Sequence, residues 1–295
     1  MNKSKSRLKA LPKHEKAYNK NRIIISDLHC GCQFGLCPPE VQLDGGGIYK
    51  SSPLQQAIWD NWEHFWNVWV PQVTHNEPYS VIVNGDSLDG VHHRSTTQVS
   101  HNLCDQQNIA EACLRPIMDN CDGQMYMIRG TEAHVGQSAE NEEKLARSLG
   151  VVKDGDGNYS RFELWIRTGN ILCHIMHHIG STGSAAYEST AVHKELTESF
   201  VEAGRWGDEP PQIIVRSHRH RCSEVRIPAM KDGQSCYSIS FTTAGWQGKT
   251  PFTFKIPGAR ISQPQVGGSL IRAGDEEVHT RHQYWRIARP NIVEG

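Results

Sequence analysis

Aspartate and histidine residues recur along this chain at the ends of short apolar runs. In an extended segment alternate side chains point to the same face, so an Asp-x-His or a His-x-His pair can hold one side of a metal ion. Carboxylate and neutral imidazole together suit Mn²⁺, Fe²⁺ and Zn²⁺. The residues placed in this way are Asp27 and His29 after the run at 22–26, Asp86 after 79–84, and His218 and His220 after 212–216.

Two further clusters follow apolar runs in the same manner. Gly130-Thr-Glu-Ala-His134 comes after residues 124–129, and His177-His178 comes after residues 171–176. Neighbours on a strand point to opposite faces, so only one residue of the His177–His178 pair is expected to be a ligand. Which of the two it is stays open.

The elements between these clusters predict an α/β fold, because strands alternate with helices before giving way to hairpins. Helices are expected near residues 53–70, 98–120, 139–149 and 184–203. The tryptophans of the first helix recur at helical spacing, which favours core packing over a platform for stacking bases. Further strands are expected at 160–167, 224–227, 237–243, 268–272 and 283–287.

In open α/β sheets, residues just past the carboxyl ends of strands converge in space. The five clusters therefore form one candidate site, although they are far apart in the sequence. Two divalent ions held about 3.5–4 Å apart in such a site would lower the pKa of a bound water and clamp the oxygens of a phosphoryl group.

The ordered series of motifs resembles the calcineurin-like metallophosphoesterase superfamily, over about residues 23–221. The family pattern is D-x-H, then G-D-x-x-D, G-N-H-D/E, a single H, and G-H-x-H. The matching residues here are Asp27-Leu-His29, Gly85-Asp86-Ser-Leu-Asp89, Gly130-Thr-Glu-Ala-His134, His177-His178 and Ser217-His218-Arg-His220.

The resemblance implies a four-layer α/β/β/α sandwich with two mixed β-sheets and a metal site at the carboxyl edge of the strands. It implies that Asp27, His29 and His220 hold one metal and that Asp86 bridges. His218 and His177 or His178 would hold the second. A metal-bridging hydroxide would attack phosphorus, and His134 would protonate the leaving oxygen or hold the phosphate in place. Both metal ions are expected to be Mn²⁺, with Fe, Zn or Ni as alternatives.

The third motif departs from the family pattern. The family has a ligating Asn beside its catalytic His, whereas here Gly130 is followed by Thr131 and Glu132, and His134 comes two residues late. Either Thr131 or Glu132 could take the Asn position. The other reading is that the second metal site has decayed.

Substrate-binding candidates follow the second motif. His93 and Arg94 come soon after Asp86, and an arginine can bind a phosphate through two parallel hydrogen bonds. The cysteines Cys30, Cys32 and Cys37 lie directly after His29, but no fourth zinc ligand has the usual spacing. Free thiols, sensitive to oxidation near the metal loop, are the favoured interpretation.

Composition limits the remaining options. The net charge of −1 argues against a broadly basic nucleic-acid binder. Residues 1–21 form a basic segment that we expect to be a disordered arm, and residues 22–295 are expected to form one domain with an insertion at about 31–78. No apolar run is long enough for a membrane span and no secretion signal is evident, so a cytoplasmic location is expected.

These features predict a dinuclear metal-dependent phosphoesterase, acting on a phosphodiester or a phosphomonoester. Nucleic acid or a nucleotide is one candidate substrate, which makes the chain a nuclease candidate. The alternative from another class is a catalytically impaired metal-bound scaffold that recognises a partner, and the irregular third motif favours it. A zinc-stabilised nucleic-acid-binding protein, built on the cysteine cluster, is the third reading. The sequence does not indicate the oligomeric state.

Overall fold

The fold is described by a computed structural model for residues 20–92, 94–180, 185–231, 233–256, 259–274 and 278–287. The expected basic arm, residues 1–21, falls outside these ranges except for its last two residues. In the described part of the chain, no helix is long and apolar enough to cross a membrane.

Strands and helices alternate through the first half of the described chain, and strands dominate the second half. The strands are β1 (Asn21–Ile25), β2 (Glu40–Gln42), β3 (Ile48–Lys50), β4 (Ser80–Asn84), β5 (Met125–Ile128), β6 (Ser160–Arg161), β7 (Glu163–Thr168), β8 (Ile171–Met176), β9 (Ile213–Arg216), β10 (Ser223–Lys231), β11 (Gln234–Thr242), β12 (Gln265–Ala273) and β13 (Val278–Arg286). The α-helices are α1 (Pro53–His64), α2 (Val70–Thr74), α3 (Leu103–Asn120), α4 (Glu132–Val135), α5 (Glu140–Leu149) and α6 (Glu188–Trp206).

Two mixed sheets carry the fold, as the sequence predicts. The six-stranded sheet has the order β13-β12-β1-β4-β5-β6, in which β1, β4, β5 and β6 are parallel. The five-stranded sheet has the order β10-β11-β9-β8-β7, with β11, β9 and β8 parallel. Strands β2 and β3 form a separate two-stranded ribbon within the expected insertion. The parallel strands bring their carboxyl ends to one edge of each sheet.

Strand β1 shows why the parallel strands are continuously apolar. Ile23 and Ile25 pack into a core shared with α1, α3 and α5, whereas Ile24 packs into a second core against the five-stranded sheet. Because successive side chains point to opposite faces, a strand covered on both faces needs apolar residues at every position. Helix α6 lies against β10 and β11 of the five-stranded sheet.

Helix α1 begins as predicted, at a capping box formed by Ser52 and Gln55 with Pro53 in the first turn. It continues through a π-helical stretch, Phe65–Trp69, into α2. The aromatic stripe, Trp62 included, is buried in the first core. This confirms the packing interpretation of the tryptophans.

Helix α3 is shorter than the sequence analysis expects. It begins at Leu103 rather than near residue 98, because Asn102 caps it by accepting a hydrogen bond from the N–H of Cys104. Gln98 lies in the preceding loop and donates its side-chain amide to Asp89 over 2.8 Å. That loop is thereby available to the candidate site.

The close approach of β12 to β1 gives the first prediction. A Cβ atom on Gly268 would lie 2.7 Å from the carbonyl oxygen of Ile24 and 2.7 Å from Cζ of Phe65. Gly268→Ala should therefore lower the free energy of unfolding by about 1–3 kcal/mol, the usual cost of overpacking. Urea denaturation measures this change.

The matched control is Gly204→Ala on α6, where a Cβ would meet no atom within 4 Å. That change should stabilise the chain by about 0.5–1 kcal/mol, because alanine loses less backbone entropy in a helix. Equal effects of the two substitutions would contradict the close packing of β12 on β1.

Candidate metal centre

Residues from the ends of β1, β4, β8 and β9 lie together at one edge of the two sheets. Their ligand atoms form two groups in which every atom is within 4.8 Å of the others. The first group is Asp27, Asp86, His177 and His218, and the second is Asp27, His29 and His220.

Asp27 is the carboxylate that the two groups share. The sequence resemblance expects Asp86 to bridge, and that role stays a prediction. Oδ1 of Asp27 is fully buried, 3.3 Å from Nε2 of His220 and 3.9 Å from Nε2 of His177, and it forms no hydrogen bond within the described residues. This buried carboxylate oxygen faces two imidazole nitrogens. Together these atoms are suitable ligands for a divalent cation.

His177 is the residue of the His177–His178 pair that joins the site. Its Nε2 lies 3.0 Å from Oδ2 of Asp86, and its Nδ1 lies 2.7 Å from the carbonyl oxygen of Asn84. If Nδ1 carries the proton and donates it to that carbonyl, Nε2 is left free to bind a metal. His178 is exposed and belongs to neither group, although its ring centroid is 5.6 Å from that of His218.

Thr131, and not Glu132, occupies the place beside Asp86. The Thr131 backbone N–H donates to Oδ1 of Asp86 over 2.7 Å, and its hydroxyl lies 3.0 Å from Oδ2. The same hydroxyl is 3.3 Å from Nδ1 of His218. Glu132 is exposed at the start of α4 and joins none of the groups found in the described chain. The irregular motif thus keeps a short polar side chain at the site.

His134 belongs to a third group, with His29 and Asp89. Its Nδ1 lies 2.6 Å from the carbonyl oxygen of Asp89, and its ring packs edge-on against that of His29 with centroids 4.5 Å apart. Asp89 also lies 3.4 Å from Nδ1 of His29. His134 therefore reaches the edge of the candidate centre, although it lies two residues further along the chain than the family pattern places its histidine.

The buried carboxylates strongly attract positive charge. Burial disfavours the charged form of Asp86, but the charge and hydrogen bonds of His177 and His218 outweigh burial and hold the pKa of Asp86 well below its usual range. Burial likewise opposes a protonated His177, yet Asp86 and Asp27 raise the pKa of His177 to about 10. The proton on His177 thus lies where a metal cation would also be stabilised. Metal binding would release this proton.

The pKa of His134 is shifted in the opposite direction. Burial and then the neighbouring His29 lower the pKa of His134 to about 4. His134 is therefore neutral at pH 7. A bound phosphate would raise the pKa, because a nearby negative charge favours the imidazolium form.

Five candidate ligands have left-handed backbone conformations. Positive φ angles are uncommon outside glycine and cost about 1–3 kcal/mol each, and they concentrate at functional sites. The five residues are Asp27 (φ 53°), His29 (φ 44°), Asp86 (φ 52°), His218 (φ 71°) and His220 (φ 52°).

Two glycines permit the approach of the ligand-bearing loops. A Cβ on Gly85 would lie 2.4 Å from Nδ1 of His177, and one on Gly130 would lie 2.1 Å from Oδ1 of Asp86. Gly85 also has a φ of 84°. Both positions require glycine if the ligands are to keep their places.

Glu142 is a supporting residue that the sequence analysis missed. Its carboxylate is fully buried and accepts hydrogen bonds from the N–H and hydroxyl of Ser87 and from the N–H of Gly130. It thereby joins the loop that carries Asp86 to the loop that carries Thr131. The sequence could have indicated that Glu142 is buried, because it lies on the same face of α5 as the apolar residues Leu145 and Leu149.

Of the two substrate-binding candidates, one can be placed. Arg94 is exposed and lines a cleft of about 800 Å³ that opens from the site, together with His134 and His218. His93 lies outside the described residues.

The cysteines after His29 are free thiols, as expected, and all three are buried. Burial raises the pKa of Cys32 and of Cys37 to about 12. A thiol that stays protonated and inaccessible is inert, so the expected oxidation sensitivity is not supported. No cysteine belongs to a metal-capable group among the described residues, which also disfavours the zinc-stabilised reading.

A comparison with known protein families gives no match, and no curated protein matches the sequence. Among solved structures the chain is similar to vacuolar protein sorting 29 from Cryptosporidium parvum, with 11% identity and a TM-score of 0.33 over 91% of this chain and 98% of that one. It is similar to a Vps29 double mutant from Entamoeba histolytica, with 11% identity and a TM-score of 0.35 over 90% and 99%.

It is also similar to the Thermus thermophilus sulfate thiohydrolase SoxB in complex with glycerol. Identity is 13% and the TM-score is 0.34, over 94% of this chain and 58% of that chain. Likenesses this remote assign neither an activity nor a substrate. The chain resembles the calcineurin-like metallophosphoesterase superfamily in the order of its motifs and in their arrangement around one site.

The buried carboxylate of Glu142 generates the second prediction. Burial raises the pKa of Glu142 from 4.5 to about 7, although hydrogen bonds from Ser87 and Gly130 oppose the shift. Between these values the folded chain binds more protons at Glu142 than the unfolded chain does. The free energy of unfolding should therefore fall as the pH rises from 4.5 to 7, by up to about 3 kcal/mol from this residue.

Urea denaturation of the metal-free protein across this pH range tests the prediction. Glu142→Gln should lose that component of the pH dependence, whereas Glu140→Gln, an exposed change in the same helix, should retain it. Parallel pH profiles for wild type and Glu142→Gln would show that Glu142 does not titrate in this window.

Proposed function

We propose that the chain is a metal-dependent phosphoesterase that hydrolyses phosphodiesters at a dinuclear centre. The observation that carries the proposal is the pair of ligand groups that share Asp27, at the meeting point of the two sheet edges. Two ligand groups with a common carboxylate would hold two cations side by side, which is the arrangement used for in-line attack on phosphorus.

The proposal assigns one ion to Asp27, His29 and His220, and the other to His177, His218, Asp27 and Asp86, with Asp86 proposed to bridge the two ions as the resemblance implies. Thr131 would contribute its hydroxyl beside the second ion. The donor set of carboxylates and imidazoles favours Mn²⁺, with Fe, Zn or Ni as alternatives. Two such ions supply an activated water at neutral pH and a clamp on the phosphoryl oxygens.

The protein residues then have separate tasks. His134 lines the cleft beside the site and is proposed to give a proton to the leaving oxygen. Asp89 accepts a hydrogen bond at its backbone carbonyl and so orients His134, while its carboxylate orients His29. Arg94 lines the same cleft and is proposed to bind a non-reacting phosphate oxygen.

The architecture is consistent with a four-layer α/β/β/α sandwich, which we also propose. Helices α1, α3 and α5 share one core with the six-stranded sheet, and a second core lies between the two sheets. Helix α6 contacts the far sheet. The metal site would then lie at the carboxyl edge that both sheets share.

The proposal predicts metal-dependent turnover of bis-p-nitrophenyl phosphate. The protein is stripped of metal, and Mn²⁺, Ni²⁺, Zn²⁺ or Mg²⁺ is restored. Asp86→Ala should lose at least about 10²-fold in kcat/KM, the scale for loss of one strong electrostatic contact at a reacting centre. It should also bind less metal, as measured by elemental analysis.

Asp105→Asn is the matched control, because Asp105 is a buried carboxylate that bonds to the N–H of Asp44 outside the cleft. It should keep both metal and activity. A wild type that binds two metal ions tightly but hydrolyses neither bis-p-nitrophenyl phosphate nor p-nitrophenyl phosphate would favour the scaffold reading instead.

A separate prediction concerns His134. A general acid matters most for a poor leaving group, so His134→Ala should reduce kcat/KM by about 10²–10⁴-fold for diphenyl phosphate. The loss should be much smaller for bis-p-nitrophenyl phosphate, because nitrophenolate leaves without protonation. Equal losses on the two diesters would remove His134 from the role of acid.

A further inference from the structure

One side of the 800 Å³ cleft is formed by a segment that none of the predicted motifs covers. We call residues 248–256 and 259–264 the wall segment. It contains one short 3₁₀ turn, Thr253–Lys255, and otherwise runs as irregular chain between β11 and β12. Its side chains face the same cleft as His134, His218 and Arg94.

Both ends of the wall segment are fixed to residues of the candidate centre. Just before it, the N–H of Trp246 donates to the carbonyl oxygen of Asp27 over 2.8 Å. Just after it, the N–H of Gln265 donates to the carbonyl oxygen of His220 over 2.9 Å. The wall segment therefore has a set position relative to the site.

The wall segment exposes large apolar side chains beside this polar site. Phe252 is 48% exposed and lines the cleft, and Phe254 is 60% exposed in the adjacent turn. The Nζ of Lys249 lies 4.3 Å from the centroid of the Phe254 ring, a cation–π contact that restrains the ring. Single exposed apolar residues are common, whereas exposed rings that border a charged cleft suit a ligand with aromatic faces.

The charge of the cleft complements a polyanion. Of the three carboxylates that line it, Asp86 and Asp89 contact imidazoles at the centre, and Glu188 is bonded to the guanidinium of Arg221. Of the five cationic side chains that line the described part of this cleft, Arg221 is paired with Glu188, and the other four are Arg94, Arg219, Lys249 and Lys255. Four positive charges exceed the single negative charge of one phosphodiester, so the cleft suits a ligand with several phosphates.

We propose that the wall segment binds single-stranded nucleic acid and presents one of its phosphodiesters to the metal centre. A base would stack on Phe252 and Lys255 would contact a neighbouring phosphate, while Arg94 would keep its proposed contact to the phosphate at the metal centre. Aromatic stacking together with a cationic groove is the general means of holding single strands, because every base has an exposed π face. In a duplex these faces are covered. The hydrolytic part of this inference rests on the proposed function; the binding part does not.

Binding is measured by fluorescence anisotropy with a labelled oligothymidylate, on the full chain in EDTA. Working without metal separates binding from catalysis. Phe252→Ala should weaken binding by about 5- to 150-fold, the factor equivalent to about 1–3 kcal/mol of stacking per base. Lys255→Ala should lower the slope of log K against log salt by about 0.7, the value for one phosphate contact on a single strand.

Two matched variants control for general effects. Phe162→Ala removes a phenylalanine that is 71% exposed but outside the cleft, and Lys144→Ala removes an exposed lysine on α5. Both should bind the oligonucleotide as wild type does. Equal binding of wild type and Phe252→Ala would overturn the inference, as would a wild type that binds duplex as tightly as single strand.

Hydrolysis is then measured on the same oligothymidylate with Mn²⁺, beside bis-p-nitrophenyl phosphate. Cleavage of both substrates by wild type, and of neither by Asp86→Ala, is the expected result. Turnover of the small diester without binding or cleavage of the oligonucleotide would overturn this inference and leave the proposed function standing. Tight binding without turnover of either substrate would support the wall segment as a binding surface and overturn the proposed function.

Discussion

Three aspartates, Asp27, Asp86 and Asp89, are buried at one edge of the sheets, and the surrounding structure depends on compensating their charge. A carboxylate removed from water is costly unless positive charge or hydrogen bonds face it, and removing one partner of a buried pair leaves the other charge uncompensated. Here the compensating groups come from other strand ends. Imidazoles of His177 and His220 face the carboxylates from the five-stranded sheet, and the N–H of Thr131 faces Asp86 from the loop after β5. The left-handed turns and the close glycines make this convergence possible.

A chain of buried hydroxyl and amide groups lies beneath the charged layer and joins the two sheets. The hydroxyl of Ser26 is 2.6 Å from that of Thr243, which is 2.8 Å from that of Ser217. The side-chain amide of Asn84 donates to Ser217 over 2.6 Å. Asn84 is the last residue of β4, and Ser26, Ser217 and Thr243 directly follow β1, β9 and β11, so the polar chain fixes how the sheets meet. Buried hydrogen bonds of this kind rigidify a site, because a residue that moves leaves its partner unpaired.

The sequence predicted those parts of the site that depend on strand ends. Apolar runs followed by Asp or His identified Asp27, His29, Asp86, His218 and His220, since parallel strands bring such residues together. It left His177 and His178 unresolved, because alternation gives the faces of a strand but not which face meets the centre. It also left Thr131 and Glu132 as alternatives, which only the start of α4 decides.

Two contributions lay beyond the reach of sequence patterns. Glu142 is one of several acidic residues in a charged helix, and its burial depends on how α5 packs against the loops after β4 and β5. The wall segment has no period and no motif, so nothing local indicates that it borders the cleft. Its position follows from long-range backbone hydrogen bonds to Asp27 and His220. The strands themselves were easier to locate, because burial on both faces makes them continuously apolar.

The same two backbone bonds link the energetics of the wall segment to those of the centre. Asp27 and His220 have left-handed backbones, held in place partly by Trp246 and Gln265 from the two ends of the segment. A ligand bound to the segment would therefore also act on the positions of these two residues, which the proposed metal centre uses. Thermodynamic linkage then requires reciprocity, so a ligand that tightens the segment would raise the affinity for metal by the same factor as metal raises the affinity for that ligand. An extended anion and the metal ions would thus each increase the binding of the other, although they occupy different parts of the cleft.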